Sequence, residues 1–218
     1  MNRLVKFFKK RKKEKEYRAY IEEHRENVLK AYQEMLDCKY LDWLLSDDYI
    51  RQSLFLRALK HDDSKYSKEE FDAYRAYFYP LNKEEEEWAA DGPFDQAWEH
   101  HFLVNDHHWQ HRKNETNFTT ETEIACLENI MDWLAMSYKF GSRPFEYYNA
   151  HKDEIALPEK QIQFMEKCIF EGIDKDYIEA LSPISNNTTY TLKMDIGNYS
   201  FCIPVNEEDL IDYDISKE

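Results

Sequence analysis

Glycine is scarce in this chain: only Gly92, Gly141, Gly172 and Gly197 occur among 218 residues. A phosphate-cradling loop, a dinucleotide-binding fingerprint and a GxSxG nucleophile elbow each need glycines at close spacing, so all three are excluded. Each of the four falls where a periodic segment stops, as expected at helix ends and turns. Cysteine is equally sparse. Cys38, Cys126, Cys168 and Cys202 include no CxxC pair, so a zinc ribbon has no support. With no secretory leader, reduced thiols and a cytoplasmic location are expected. No apolar run approaches the ~20 residues that span a bilayer, so no transmembrane segment is expected, and contact of the basic start and Phe7-Phe8 with an anionic surface is the less favoured reading of that segment. N-x-T triplets such as the one at Asn117 are read as chance matches.

What is present suits one packed domain. The chain is 42% hydrophobic and 16% aromatic, ample for a core at this length. The net charge of -15 is unevenly divided. Residues 1–18 hold nine Lys or Arg against Glu14 and Glu16, a surplus of seven that leaves -22 on the remainder. An acidic body repels nucleic-acid backbones, so long nucleic acid is a poor partner, whereas a small phosphorylated substrate can still enter a locally positive pocket.

Periodicity predicts a mainly α fold, a helical bundle followed by a small C-terminal β-hairpin. A basic extension, residues 1–13, precedes a helical domain over 14–181, with the hairpin and an acidic tail over 182–218. The first helix covers about 14–37, with Tyr17, Tyr20, Ile21, His24, Val28, Ala31, Tyr32 and Met35 at three-and-four spacing. A second, about 48–60, buries Ile50, Leu54, Phe55, Ala58 and Leu59 and ends at His61-Asp62. Ser67 with Glu70 reads as a capping box for a third helix, ending near Phe78 before Pro80. Another starts near Phe94 and carries Trp98, His101, Leu103, Val104 and His108. Thr120–Phe140 has a continuous apolar stripe, and shorter helices follow at 144–151, 158–171 and 174–181. TYTLKMDI and NYSFCIPV alternate like strands joined near Gly197, and Glu207–Glu218 reads as an acidic surface tail.

Of eight histidines, five lie in pairs or beside an Asp: His61-Asp62, His100-His101 and His107-His108. Imidazoles and carboxylates grouped in this way suit a divalent ion that keeps positions for water and a substrate oxygen. His24, His61-Asp62 and Asp132 fall on buried faces or buried ends of predicted helices, where an unpaired Asp is costly. Glu128, one turn before Asp132, points the same way. For Asp132 a cation and a plain hydrogen-bond network remain alternatives. His101, Asn105 and His108 share one helix face; His100 and His107 form the competing face. Trp98 and Val104 favour His101 and His108. Positions i and i+7 are ~10 Å apart along a straight helix, so both rings reach one ion only through a break, which Asn105-Asp106 offers. His111 and His151 read as surface residues.

An isolated His, then His-Asp with a Lys shortly after it, then a late Asp resembles the HD superfamily of metal-dependent phosphohydrolases. LKHDDSKYS is similar to that family's HD segment, with Asp63 in place of the common aliphatic residue. Together with AWEHHFLVNDHH and ENIMDWLAMS, the pattern over roughly 17–160 also resembles an uncharacterised family of bacteria and their phages. The resemblance implies a helical bundle in which His24, His61, Asp62 and Asp132 are ligands and Lys65 contacts phosphate or orients Asp62.

The expected activity is therefore hydrolysis of a phosphate ester, nucleotide-like, by water activated on Mn, Fe, Co, Zn or Mg, with one ion or two. Lys65, with Arg57 or Arg51, would neutralise phosphoryl oxygens, while His101 and His108 bind a second ion or protonate the leaving group. Two alternatives stand beside it. One is an HD-like di-iron oxygenase; the other is a non-catalytic, metal-stabilised binding protein of phage or bacterial origin. Oligomeric state is not readable. The basic start reads as a solvated extension of the first helix, Glu84–Glu87 as a solvated face, and Tyr74, Tyr77, Phe78 and Tyr79 as packed core.

Overall fold

A computed structural model describes residues 3–181, 190–196 and 199–205. The fold is mainly α, with eleven α-helices among the described residues. These are α1 (Arg3–Asp37), α2 (Asp42–Leu45), α3 (Asp48–Lys60), α4 (Phe71–Phe78), α5 (Lys83–Ala90), α6 (Pro93–Val104), α7 (Trp109–Arg112), α8 (Thr120–Phe140), α9 (Pro144–His151), α10 (Glu159–Cys168) and α11 (Lys175–Leu181). Two strands, β1 (Tyr190–Ile196) and β2 (Tyr199–Val205), pair antiparallel, with Tyr190 opposite Val205 and Ile196 opposite Tyr199. The turn expected at Gly197 and the acidic tail lie outside the described residues. No helix among the described residues is long and apolar enough to cross a membrane, and Cys38, Cys126 and Cys168 are free thiols.

Helices α1, α3, α8 and α10 enclose the larger core, where Val28, Leu54, Ile124, Leu127, Ile130, Met131, Leu134 and Met165 are fully or almost fully buried. A smaller core joins Tyr17 and Ile21 of α1 to Phe71 and Tyr74 of α4 and Ala97 of α6. His24 lies between Ile21 and Val28 on the same stripe of α1, at the seam of the two cores.

Local chemistry fixes the elements that build this seam. Asp47 caps α3, its carboxylate accepting from the N–H groups of Tyr49 and Ile50 at 2.8 and 3.1 Å. Thr119 and Thr122 cap α8 reciprocally, and Gly141 ends it at φ 77°, a left-handed position that suits glycine. Gly172 answers a different need: a Cβ there would stand 2.7 Å from Leu41 Cδ2, and the chain leaves helical geometry at this residue within a π-turn over Ile169–Ile173. It lies inside this segment and not at its end.

Other expectations need correction. The first helix does not begin near residue 14 but runs unbroken from Arg3. On α3, Ile50, Leu54 and Ala58 are buried while Phe55 and Leu59 are exposed, because only a narrow stripe meets α1 and α8. Ser67 and Glu70 form no capping box: α4 begins at Phe71 without a side-chain cap, and the Glu70 carboxylate turns inward to two histidines. Tyr74 is core, but Tyr77 and Phe78 are exposed, with Tyr77 stacked on Phe94 at 4.0 Å. Within the acidic run, Glu85 is not merely solvated. It grips the buried Arg75 through two bonds of 2.8 Å and accepts from the Leu81 N–H.

Candidate metal centre

The cluster begins where α3 stops. His61 has extended geometry (ψ 130°) and Asp62 is left-handed at φ 58° and ψ 22°, the sole non-glycine with positive φ among the described residues. Such a conformation costs energy in an ordinary residue and persists where surroundings enforce it. A 3-10 turn over Asp63–Tyr66 follows, and its tight pitch returns Lys65 to Asp62, Nζ to Oδ2 at 2.6 Å. Helix α1 supplies His24 and α8 supplies Glu128 and Asp132. Helix α6 supplies His101 and ends there: Asn105 is extended (φ -116°, ψ 101°), and the turn beyond it delivers His107 and His108. The break expected at Asn105-Asp106 is present.

The structure brings His24, His61, Asp62, His101, His108 and Asp132 together, and adds His107. Asp62 lies between two groups. Its Oδ2 is 3.6 Å from His24 Nε2 and 3.7 Å from His61 Nε2; its Oδ1 is 3.2 Å from His101 Nε2 and 3.8 Å from His107 Nε2. Asp132 Oδ1 completes the first group, 3.1 Å from His24 Nε2 and 3.6 Å from His61 Nε2. Three overlapping sets can each hold an ion: Asp62 with His101, His107 and His108; His24, His61 and Asp62; and His61, His107 and Asp132.

Two observations test whether these residues fit a metal. Bonds of ~2.1 Å put neighbouring ligand atoms ~3.0–3.4 Å apart, close to the spacings found. Further, the buried Nε2 atoms of His61, His107 and His108 and Oδ1 of Asp62 make no hydrogen bond within the protein. Buried polar atoms rarely go without partners, and four in one cluster mark a ligand set. The Nδ1 atoms of His61, His107, His101 and His100 face carboxylates. His61 Nδ1 lies 2.9 Å from Glu128 Oε1, and His107 Nδ1 lies 3.4 Å from the same oxygen. His101 Nδ1 lies 2.9 Å from Glu70 Oε2, and His100 Nδ1 lies 2.8 Å from Oε1. Carboxylates behind the rings hold Nδ1 as donor and leave Nε2 as the free donor atom for a cation.

Electrostatics agree with a site built for positive charge. Burial would raise the Asp62 carboxyl, but Lys65, His61 and His101 hold it well below the usual range. Asp132 and Glu128 are likewise depressed against burial, by His24 and His61 and by His107 and His61. Burial lowers His61, yet Asp62, Asp132 and Glu128 outweigh it and push the ring up to about 10. His108 goes the other way, held neutral by burial and by the neighbouring His107 and His101.

Two expected contributors stand elsewhere. Arg51 pairs with Asp48 on the outer face of α3. Arg57 reaches the rim, where it binds both Asp106 oxygens at 2.6 and 2.7 Å and Glu128 Oε2 at 2.7 Å. A cleft of about 310 Å³ opens there, lined by Arg57, Lys60, Asn105, Asp106, His107 and Glu128 among others. His111 is exposed and His151 stacks on Tyr147 at the surface, as expected.

The roles of Glu70 and Arg112 escape sequence reasoning, while His107 stands there on the competing face. Arg112 is fully buried and donates to the carbonyls of Asp106 and His107, to Gln161 Oε1 at 3.1 Å and to Asn129 Oδ1 at 3.2 Å. It thereby pins the turn that carries His107 and His108. The doubled histidines were the available signal for His107; Arg112 carries none, since a basic residue in a polar segment reads as exposed.

Residues 13–171 match DUF5662, a family of unknown function. No curated protein and no solved structure matches the chain.

Proposed function

This chain belongs to DUF5662, a family of unknown function, and from its buried histidine and carboxylate cluster we propose that it is a metal-dependent hydrolase of phosphate esters, with nucleotide-like compounds the favoured substrates. The observation that carries this reading is the convergence of unpartnered Nε2 atoms on Asp62, with Lys65 beside it. His24, His61, Asp62 and Asp132 would hold one divalent ion, and Asp62 with His101, His107 and His108 a second. Bound there, divalent ions supply an acidified water and positive charge for phosphoryl oxygens.

The chain's own residues set the rest. Lys65 fixes the Asp62 carboxylate; burial lowers its ammonium, but Asp62 together with Tyr20 and Asp132 outweighs that, so it stays charged at the rim. Most side chains of the cluster are buried and His108 is only partly buried, while Asp132 and Lys65 are 16% and 17% exposed. A phosphoryl group would therefore approach along that edge. The order of ligands in the chain supports the HD-type assignment. The near closure of the cluster favours a second reading, a metal-stabilised binding protein without turnover; the paired ligand sets would equally serve a di-iron oxygenase.

Elemental analysis of protein purified without chelator, followed by a panel of nucleotides and other phosphate esters, separates these. Stoichiometric metal that is lost in the His61→Ala/Asp62→Ala double variant, with metal-dependent release of phosphate, is the expected result. Metal content unaltered by that variant would remove the centre altogether. Bound metal without hydrolysis of any ester would transfer the assignment to the binding protein, or to the oxygenase where two irons are found.

A further inference from the structure

The start of α1 is a prominent structural feature that the metal centre leaves unused. The first buried side chain of α1 is Tyr17, so roughly 20 Å of helix precedes the core. Leu4, Val5, Phe7 and Phe8 are exposed by 62, 53, 52 and 61%. At ~100° per residue they share an arc of about 160°. Lys6, Lys9, Lys10 and Lys13 occupy the opposite side. That side leans on the body: Lys9 donates to the Leu81 carbonyl, and Lys10 lies 3.5 Å from Asp72. The apolar arc faces away from the protein. Farther along this outward face come Arg11, Lys12 and Lys15, all exposed.

Charge makes the face selective. Residues 3–13 hold seven Lys or Arg and no Asp or Glu, on a chain whose net charge is -15. A short helix with aromatic and aliphatic residues on one side, flanked by cations, is suited to the boundary of an anionic bilayer. Nucleic acid would engage the cations and leave Leu4, Val5, Phe7 and Phe8 unused. A second copy of the chain would bring two such cationic segments together. A lipid surface satisfies both halves of the pattern.

We propose that the start of α1 binds anionic membrane surfaces, with Leu4, Val5, Phe7 and Phe8 seated in the headgroup boundary and Arg11, Lys12 and Lys15 on lipid phosphates. It tethers the helical body by one end and leaves the metal centre some turns away. The mode of contact is peripheral and reversible by salt, since cationic attraction to lipid is screened.

Flotation of the full-length protein with vesicles of phosphatidylcholine alone, or of phosphatidylcholine mixed with phosphatidylglycerol, tests this. The protein should float with the anionic vesicles only. The Phe7→Ser/Phe8→Ser variant should partition roughly tenfold less, and raised salt should have a comparable effect. Unchanged metal content and circular dichroism in that variant, whose changes lie on the exposed arc, show that the fold is intact. Failure to float with anionic vesicles overturns the proposal. So does flotation that is indifferent to the Phe changes, which would leave plain polyanion binding of the kind duplex DNA would reproduce. A concentration-dependent dimer abolished by the same variant would assign the face to a second copy instead.

Discussion

Glu128 Oε1 stands 2.9 Å from His61 Nδ1, and this contact decides which nitrogen of His61 faces the cluster. The same oxygen lies 3.4 Å from His107 Nδ1, so one carboxylate on α8 orients rings that arrive from two separate segments. Arg57, 2.7 Å from the other oxygen, holds the carboxylate itself in place.

Replacement Glu128→Gln keeps the shape but removes the charge and offers an amide N–H to at least one ring. Metal affinity should fall ~10–100-fold, the usual consequence of losing a carboxylate behind a histidine ligand. Competition titration with a chromophoric chelator reads this directly. An affinity equal to that of the unaltered protein would show that Glu128 does not orient the rings.

Asp62 combines strain and charge, and two substitutions separate them. Asparagine tolerates the left-handed conformation far better than alanine. Asp62→Asn should therefore fold with little change in structure yet lose metal, while Asp62→Ala should lose metal and an additional ~1 kcal/mol or more from backbone strain. Thermal unfolding in excess chelator, paired with elemental analysis, distinguishes the two. Equal stability of both variants under chelation would refute the strain.

The bundle was legible where pattern and caps agree. Helix α8 has its threonines and Gly141 at its ends, and its stripe of Ile124, Leu127, Met131 and Leu134 is continuous. His24 and Asp132 stood out because titratable groups on apolar stripes are costly without a partner. Glu70 misled, since a Glu three residues after Ser67 is the local signature of a cap, and only the approach of α6 shows that it serves His100 and His101. For a related reason the choice between the face of His108 and the competing face of His107 is open in the sequence. A straight helix sets His107 opposite His101, whereas an extended Asn105 rotates the following turn inward. Phe55 and Leu59 are apolar but exposed, because the sequence shows the width of a stripe and not the width of the groove that receives it.

Arg112 yields a prediction that links core to centre. Its guanidinium satisfies the carbonyls of Asp106 and His107 inside the protein, and burial alone lowers its pKa. Arg112→Met would fill much of the volume but leave those acceptors, Gln161 and Asn129 short of donors. Each such orphan costs about 1–3 kcal/mol. A lowered Tm is expected, together with weaker metal retention at temperatures well below that Tm, because the turn bearing His107 and His108 is released. Full retention of metal by the folded variant would confine Arg112 to a role in stability.

The pair Arg75–Glu85 gives a pH dependence remote from the metal centre. Burial raises the Glu85 carboxyl, but Arg75 and the Leu81 N–H outweigh it, so its folded pKa lies below the ordinary glutamate value. A depressed carboxyl binds fewer protons folded than unfolded, so its stabilisation is complete above the unfolded pKa and is lost as pH falls through the folded one. Stability should thus decline from about pH 5 downward, with one component from this pair. Arg75 is only 3% exposed at its side chain, and Glu85→Gln would leave its charge unpaired there. That variant should be less stable by about 1–3 kcal/mol at neutral pH. Its loss of stability on acidification should also be shallower than that of the unaltered protein. Urea unfolding of both proteins in chelator, at neutral pH and near pH 4, measures the two slopes. Parallel acid limbs would mean that Glu85 titrates alike in the folded and unfolded chains, and that Arg75 does not hold it.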